Sequence, residues 1–200
     1  MTYLKKPRPS SARRATLWPL ALALCALTFA ACDDGKPEHG EGGEEELITT
    51  VTAVLTPASG GTPTILTFRD LDGDGGDEPM IEGGTLAART EYTVSIGFLN
   101  EAESPAEDVT AEIRAEDEEH QVFVLPEGSL DASYAYADSD ADNFPVGLLG
   151  QLITGQASSG DLRVVLRHEP DKGATGVAAG ILENAGGETD VEVRFPVTIQ

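Results

Sequence analysis

The sequence predicts an all-β domain: a two-sheet, immunoglobulin-like β-sandwich of about eight strands with one short helix. Apolar residues alternate with polar ones in several separate segments, which is the pattern of strands that bury one face. Turns rich in glycine separate these segments, and the chain has 22 glycines and 12 prolines. One segment alone has the start signals of a helix. Short strands at regular spacing with Gly-rich turns are typical of a sandwich.

The strands follow from period and composition. The first two, rich in Thr, Val and Ile, predict a hairpin, and three later ones alternate strictly. Pro196 has no amide hydrogen, so the last strand should lie at a sheet edge or direct that position to solvent. The predicted strands are residues 47–56, 63–69, 92–98, 120–125, 132–137, 146–153, 162–166 and 191–199.

The predicted helix runs from Pro105 to Asp117. Ser104 is a favourable N-cap, Pro105 suits the first helical position, and Glu107 stands three residues after the cap. The long connection 168–190 could be functional or could contain a short extra strand. One helical face is apolar, formed by Ala106, Val109 and Ile113.

The first 31 residues predict a secretory signal peptide, with a basic head, a short apolar body and small residues before Cys32. The alternative is a membrane-spanning helix, but the apolar run is short and Pro19 interrupts it. Phe29 to Cys32 resembles the lipobox of bacterial lipoproteins, which implies cleavage before Cys32 and a lipid on its sulfur. Such a lipid would anchor the protein to a membrane of the bacterial cell envelope.

Residues 32–46 then form an acidic tether, and residues 47–200 form the sandwich domain. The net charge of the chain is −22, and removal of the signal, with its five basic residues and no acid, lowers it to −27. A charge of this sign argues against nucleic acid as a partner, since phosphate binding needs clustered Lys and Arg. It is compatible with simple solubility or with cation binding.

Two acidic loops are candidate calcium sites, because carboxylates at alternate positions can wrap oxygens around Ca²⁺. The stronger candidate resembles DxDxDG calcium loops, although position twelve is Ile81 and no bidentate acid stands there. In both loops the alternative is an acidic turn. The stronger candidate has Asp70, Asp72, Asp74, Asp77 and Glu78; the weaker one has Asp138, Asp140 and Asp142.

Several segments together resemble a group of uncharacterised bacterial lipoproteins, over most of residues 45–200. Members are sometimes labelled as having a type 1 periplasmic-binding fold, which implies alternating strands and helices, whereas the residues themselves predict strands with one short helix. The resemblance implies no known activity. The segments are ITTV, LTFRDLDGDGG, GTLAARTEYTVSIGFLNEAESPAEDVTAEI, EHQVF, LRHEP and NAGGETDVEV.

The chain has no motif for catalysis: His39, His120 and His168 lack a metal-binding spacing, and neither GxSxG nor a P-loop occurs. The sequence therefore predicts a non-enzymatic, lipid-anchored binding or adhesion module that calcium could stabilise. Its expected partner is an envelope protein or a glycan. The alternatives are a structural subunit of an envelope complex and a hydrolase. Tyr134 and Tyr136 would favour a glycan if they lined an exposed groove.

Overall fold

A computed structural model describes residues 46–73 and 75–200. The described residues form ten strands and the helix α1 (Val109–Ala115). The strands are β1 (Thr50–Pro57), β2 (Thr64–Arg69), β3 (Met80–Glu82), β4 (Gly84–Leu86), β5 (Glu91–Leu99), β6 (His120–Gly128), β7 (Ala132–Tyr136), β8 (Leu149–Thr154), β9 (Ser158–His168) and β10 (Glu188–Ile199).

The strands form two sheets around one core, which confirms the predicted β-sandwich. One sheet has the order β3-β2-β1-β5-β8-β7 and the other the order β4-β10-β9-β6. The alternation of polar and apolar residues places every second side chain between the sheets, and each fully buried Leu or Phe contributes about 1.5–3 kcal/mol. The largest fully buried side chains include Leu55, Leu66, Phe98 and Leu152 from the first sheet and Leu162, Leu166, Phe195 and Ile199 from the second.

The chain changes sheets at Gly83, between the three-residue strands β3 and β4, neither of which the sequence pattern predicts. A Cβ at Gly83 would lie 2.0 Å from the carbonyl oxygen of Pro196, so only glycine fits there. On this side β10 pairs with β4 only from Val197 onward. Pro196 thus stands where the edge segment of β10 ends, in agreement with its predicted edge position.

The helix begins later than predicted, at Val109 with Asp108 as its N-cap. The backbones of Asn100 and Glu107 exchange two hydrogen bonds of 3.0 and 3.1 Å, so the residues between them form a turn and are not free to start a helix. The side chain of Thr110 bonds both the N–H and the carbonyl of Phe98, which ties α1 to β5. Tertiary pairing therefore overrides the local helix signals.

The segment 169–187 contains two short 3-10 turns, Val177–Ala179 and Leu182–Asn184, where an extra strand was predicted. Gly176 and Gly180 on either side of the first turn have positive φ values of 82° and 92°, which end any extended conformation. The segment packs on the outer side of the four-stranded sheet, which we call the covered face. A second, smaller core lies there, formed by Phe123, Val165, Val177 and Ala185.

The outer side of the six-stranded sheet carries no such layer among the described residues, and we call it the open face. Within the five strands β2-β1-β5-β8-β7, the only charged outward positions are Arg69 and Glu91, at opposite ends. The uncharged positions between them are Thr52, Val54, Thr56, Ile65, Thr67, Thr93, Ser95, Ser133, Ala135, Leu149, Gln151 and Ile153.

Candidate functional site

A groove opens at one end of the sandwich, beside the start of β1 and the end of β2. Its volume is about 320 Å³, at the lower end of the range of ligand pockets. Most of its lining is apolar; of the polar members, Asp70 and Asp72 lie on the loop that follows β2, and Thr49 directly precedes β1. The lining residues are Leu47, Ile48, Thr49, Phe68, Asp70, Leu71, Asp72, Gly73, Ala102 and Val191.

The loop after β2 forms one wall of this groove. The N–H of Asp70 donates to the carbonyl of Thr49 at 2.8 Å, which holds the loop against β1. The Asp70 Oδ1 in turn accepts the N–H of Gly73 at 2.9 Å and closes a tight turn. Leu71, within this turn, is 45% exposed, and Leu47, which also lines the groove, is 61% exposed. Exposed apolar side chains therefore stand next to carboxylates.

The rim of the groove carries Asp70 and Asp72, and Arg69, which precedes them in the chain, is already paired. Arg69 Nε lies 2.6 Å from Glu101 Oε2, and the hydroxyl of Thr50 donates to the same oxygen at 2.6 Å. Hydrogen bonds from Arg69 and Thr50 hold the pKa of Glu101 below its usual value. The carboxylates of Asp70 and Asp72 thus face the groove without a compensating base from Arg69.

The first predicted calcium loop is the continuation of this wall. Asp72 Oδ2 accepts the N–H of Asp77 at 2.8 Å, which folds the loop back on itself. Asp77 and Glu78 are exposed, and Asp74 lies outside the described residues. The structure brings Asp70 and Asp72 to the same rim, but calcium binding stays a prediction, because these bonds also suit an acidic turn.

The second predicted calcium loop has its carboxylates in other bonds. Asp138 accepts the N–H groups of Gly147 and Leu149, both at 2.8 Å. Asp140 is 7% exposed; its Oδ1 accepts two backbone N–H groups, and its Oδ2 lies 2.8 Å from Lys172 Nζ. Asp142 is exposed. These contacts give Asp138 and Asp140 a structural role, and the geometry lends the calcium prediction here no support.

Tyr134 and Tyr136 do not form an exposed aromatic platform. Their rings meet edge to face with centroids 5.5 Å apart, and both side chains are partly buried. The Tyr136 hydroxyl accepts a hydrogen bond of 3.1 Å from Gln121. Burial raises the pKa of Tyr134 strongly and that of Tyr136 to about 12, so both remain neutral. The condition that would favour a glycan partner is therefore not met by this pair.

Two histidines that the sequence gives no reason to connect are neighbours in the fold. His120 starts β6 and His168 ends β9, and the two are partners in the antiparallel register. Their rings stack with centroids 4.8 Å apart, and they are 0% and 8% exposed. Burial alone would lower the pKa of His120, but the Glu46 carboxylate 3.0 Å from Nε2, the carbonyl of Glu116 and the charge of Asp190 together outweigh burial and raise it. Forty-seven residues separate the pair, and only the strand register unites them.

Cys32 and the predicted signal peptide lie outside the described residues. In the part of the chain that the structure describes, no helix is both long enough and apolar enough to cross a membrane. No family model, curated protein or solved structure matches this chain. The fold and the geometry of its surfaces are therefore the basis for a functional proposal.

Proposed function

We propose that this protein is a lipid-anchored binding module of the bacterial cell envelope, without enzymatic activity, whose ligand enters the groove beside β1 and β2. The observation that supports it most is the combination of an apolar groove floor with an acidic rim. Ligand pockets are mainly apolar with a few well-placed polar groups. The groove has this character and lies at the end of the sandwich where β1 begins.

The chemistry of the groove selects one class of partner. Its carboxylates and the net charge of −22 attract cations, and its floor accepts an apolar side chain. A protein segment in which an apolar residue stands beside Lys or Arg matches both features. A protein partner is also favoured over a glycan because Tyr134 and Tyr136 are engaged inside the domain.

Short capped peptides test this proposal directly. A peptide with Leu beside Lys should bind and shift the NMR signals of the groove residues, while its counterpart with Leu beside Glu should not. Leu71→Ser should weaken binding, whereas Ile181→Ser should not, because Ile181 lies away from the groove and is 44% exposed against 45% for Leu71. Equal binding of both peptides, or equal effects of both variants, would contradict the proposal.

The anchor has a separate test. Cys32→Ala should leave the protein unlipidated, so that it no longer partitions with membranes, because two or three acyl chains hold a protein firmly and none holds it at all. Mass spectrometry of the native protein should show a lipid on residue 32. A Cys32→Ala protein that stays in the membrane fraction would exclude this part of the proposal.

Calcium would act on the groove wall by ordering the loop from Asp70 to Glu78. Millimolar calcium should then raise the melting temperature relative to chelator, and Asp77→Asn should reduce the shift. Glu183→Gln is the control, since Glu183 is also an exposed carboxylate and lies outside both predicted calcium loops. A melting temperature that calcium leaves unchanged would remove both predicted calcium sites.

A structural subunit of an envelope complex is the second candidate, and the open face favours it. Ile65, Leu149 and Ile153 are 53%, 47% and 51% exposed there. Val54 and Ser95 lie between Ile65 and Leu149 in the register, and the one charged neighbour is Glu91, opposite Ile153. A sheet face with exposed apolar residues and so few charges is a surface that a protein partner could cover. Cross-linking from the open face in intact envelopes, compared with cross-linking from the groove, distinguishes the two candidates.

A further inference from the structure

We propose that His120, His168 and Asp190 form a binding site for a divalent transition-metal ion of the zinc class. One ligand atom from each residue lies within 4.8 Å of the others. Two imidazoles and a carboxylate are a ligand set that zinc favours, whereas calcium prefers oxygen alone. Three protein ligands leave one position of a tetrahedral ion for water or for Glu46.

A β-bulge places Asp190 in this cluster. In the pairing of β10 with β9, Thr189 faces Arg167 and Val191 faces Leu166, so that Asp190 is the additional residue. Bulges turn a side chain away from the regular alternation and are frequent beside functional sites. Both carboxylate oxygens of Asp190 are shielded from solvent, next to two buried histidines.

The surroundings of His120 suit a metal ligand. Its Nδ1 lies 3.2 Å from the carbonyl oxygen of Glu116, and when an ion binds, donation of the Nδ1 hydrogen to that carbonyl makes Nε2 the ligand atom. The second ring nitrogen of a metal-binding histidine is commonly held in this way. Nε2 itself lies 3.0 Å from the Glu46 carboxylate.

The charges agree with a dication. Asp190 and Glu46 place two carboxylates beside the two imidazoles, and carboxylates with imidazoles are a ligand set that suits a divalent ion. Ligand atoms around tetrahedral zinc lie about 3.3 Å apart, so zinc would draw closer together any of these atoms that stand near the 4.8 Å limit.

Zinc chloride added to the purified full-length chain, after removal of metals with chelator, tests the site. Calorimetry should show one zinc per chain, and the melting temperature should rise by about 5–10 °C at a hundredfold excess of zinc over its Kd. His168→Gln and Asp190→Asn should each weaken zinc binding at least tenfold. The fold of each variant is checked by circular dichroism before titration.

Two matched controls separate this site from adventitious binding. Glu188→Gln changes an exposed carboxylate two residues from Asp190 on the same strand, and His39→Ala removes the third histidine of the chain. Both should bind zinc as the wild type does. The proposal is wrong if zinc does not bind saturably, if His168→Gln and Asp190→Asn bind it unchanged, or if His39→Ala abolishes binding.

Cobalt(II) gives a readout that does not depend on any variant. On the wild-type chain it should produce the strong visible absorption of a four-coordinate ion with nitrogen ligands, and zinc should displace it. The weak absorption of a six-coordinate ion would overturn the proposal. The peptide experiments on the groove do not involve these residues, so failure of one proposal leaves the other intact.

Discussion

The two outer faces of the sandwich differ in how they meet solvent. On the covered face, Arg163 and Arg194 form four ion pairs with Glu127 and Glu192, across β6, β9 and β10, at distances of 2.5–3.1 Å. Next to this network, segment 169–187 buries Phe123 and Val165 completely or almost so. The covered face therefore contributes a second core and a compensated set of charges.

Apart from the Arg69–Glu101 pair at one end, the described residues of the open face have neither feature, although the chain as a whole is strongly charged. Its isoleucines and leucine remain about half exposed between Thr and Ser residues. Solubility alone would favour charged residues at such positions. The comparison indicates that stability resides in the core and the covered face, whereas the open face and the groove are the surfaces that we propose for partners.

The largest expected loss of stability follows from a substitution in the second core of the covered face. Phe123→Ala should lower the free energy of unfolding by about 3–5 kcal/mol, because it empties a fully buried site between β6 and segment 169–187. Urea unfolding measures this loss, and hydrogen exchange should show segment 169–187 becoming less protected. Ile65→Ala on the open face is the control, with an expected change below about 0.5 kcal/mol. Similar losses in both variants would contradict the comparison.

The next largest effect concerns Lys172, which holds the start of segment 169–187 against the rest of the domain. Its ammonium group bonds Asp140 and the carbonyl of Asp117, and the Lys172 and Asp140 side chains are 5% and 1% exposed. Lys172→Met should cost about 3 kcal/mol, because it leaves a buried carboxylate without its cation. Arg114→Met, on the exposed side of α1, should cost less than about 0.5 kcal/mol. A smaller loss in Lys172→Met than in Arg114→Met would show that the pair does not hold the segment.

The ion pair of Lys172 and Asp140 predicts that the free energy of unfolding depends on pH. Burial raises the pKa of Asp140, but the hydrogen bond from Lys172 and the N–H of Phe144 outweigh burial and hold it below its usual value. Because the folded pKa is depressed, the stabilisation is complete above the unfolded pKa of about 3.9 and is lost as pH falls through the folded pKa. Asp140→Asn should therefore be less stable than wild type at neutral pH, with a gap that narrows in acid. Urea titrations from neutral to acidic pH measure it, and a constant gap would contradict the assignment.

The smallest effect concerns the ion pairs of the covered face. Arg163, whose side chain is 20% exposed, pairs with both Glu127 and Glu192 and helps to lower the pKa of Glu192. Arg163→Ala should cost about 1 kcal/mol at low salt and less at high salt, because partly exposed pairs are weak and screened. Arg194→Ala, at 48% exposure, should cost less. Thermal unfolding of both variants at two salt concentrations measures these losses. Equal losses in the two variants, unchanged by salt, would contradict the prediction.

The strands with a clean period of two were predictable because one buried face constrains every second residue. β5 and β10 alternate between buried and exposed positions over most of their length, as their sequences predict. The three-residue strands β3 and β4 could not be predicted, because they exist only through pairing with β2 and β10. The helix start at Ser104 was wrong since the Asn100–Glu107 pairing competes for the same backbone.

Of the candidate sites, the acidic loop at Asp70 and Asp72 lies beside a groove. Alternating Asp residues also suggested a cation at Asp138 and Asp140, but there the backbone and Lys172 supply the positive partners. Lys172 is 32 residues from Asp140, so no local pattern could reveal the pair. The histidine pair was missed for the same reason, since its spacing matches no local motif.

The sequence by itself determined that the domain is a β-sandwich and that it is strongly acidic, because alternation and composition are local properties of the chain. Through Cys32 it also predicts a location in the cell envelope, and that location stays a prediction. Only the tertiary structure decided which acids are paired, which face is covered, and that His120, His168 and Asp190 meet. The physical reason is that strand register and bulges act between residues far apart in the chain, and charge and burial are set where those residues come together.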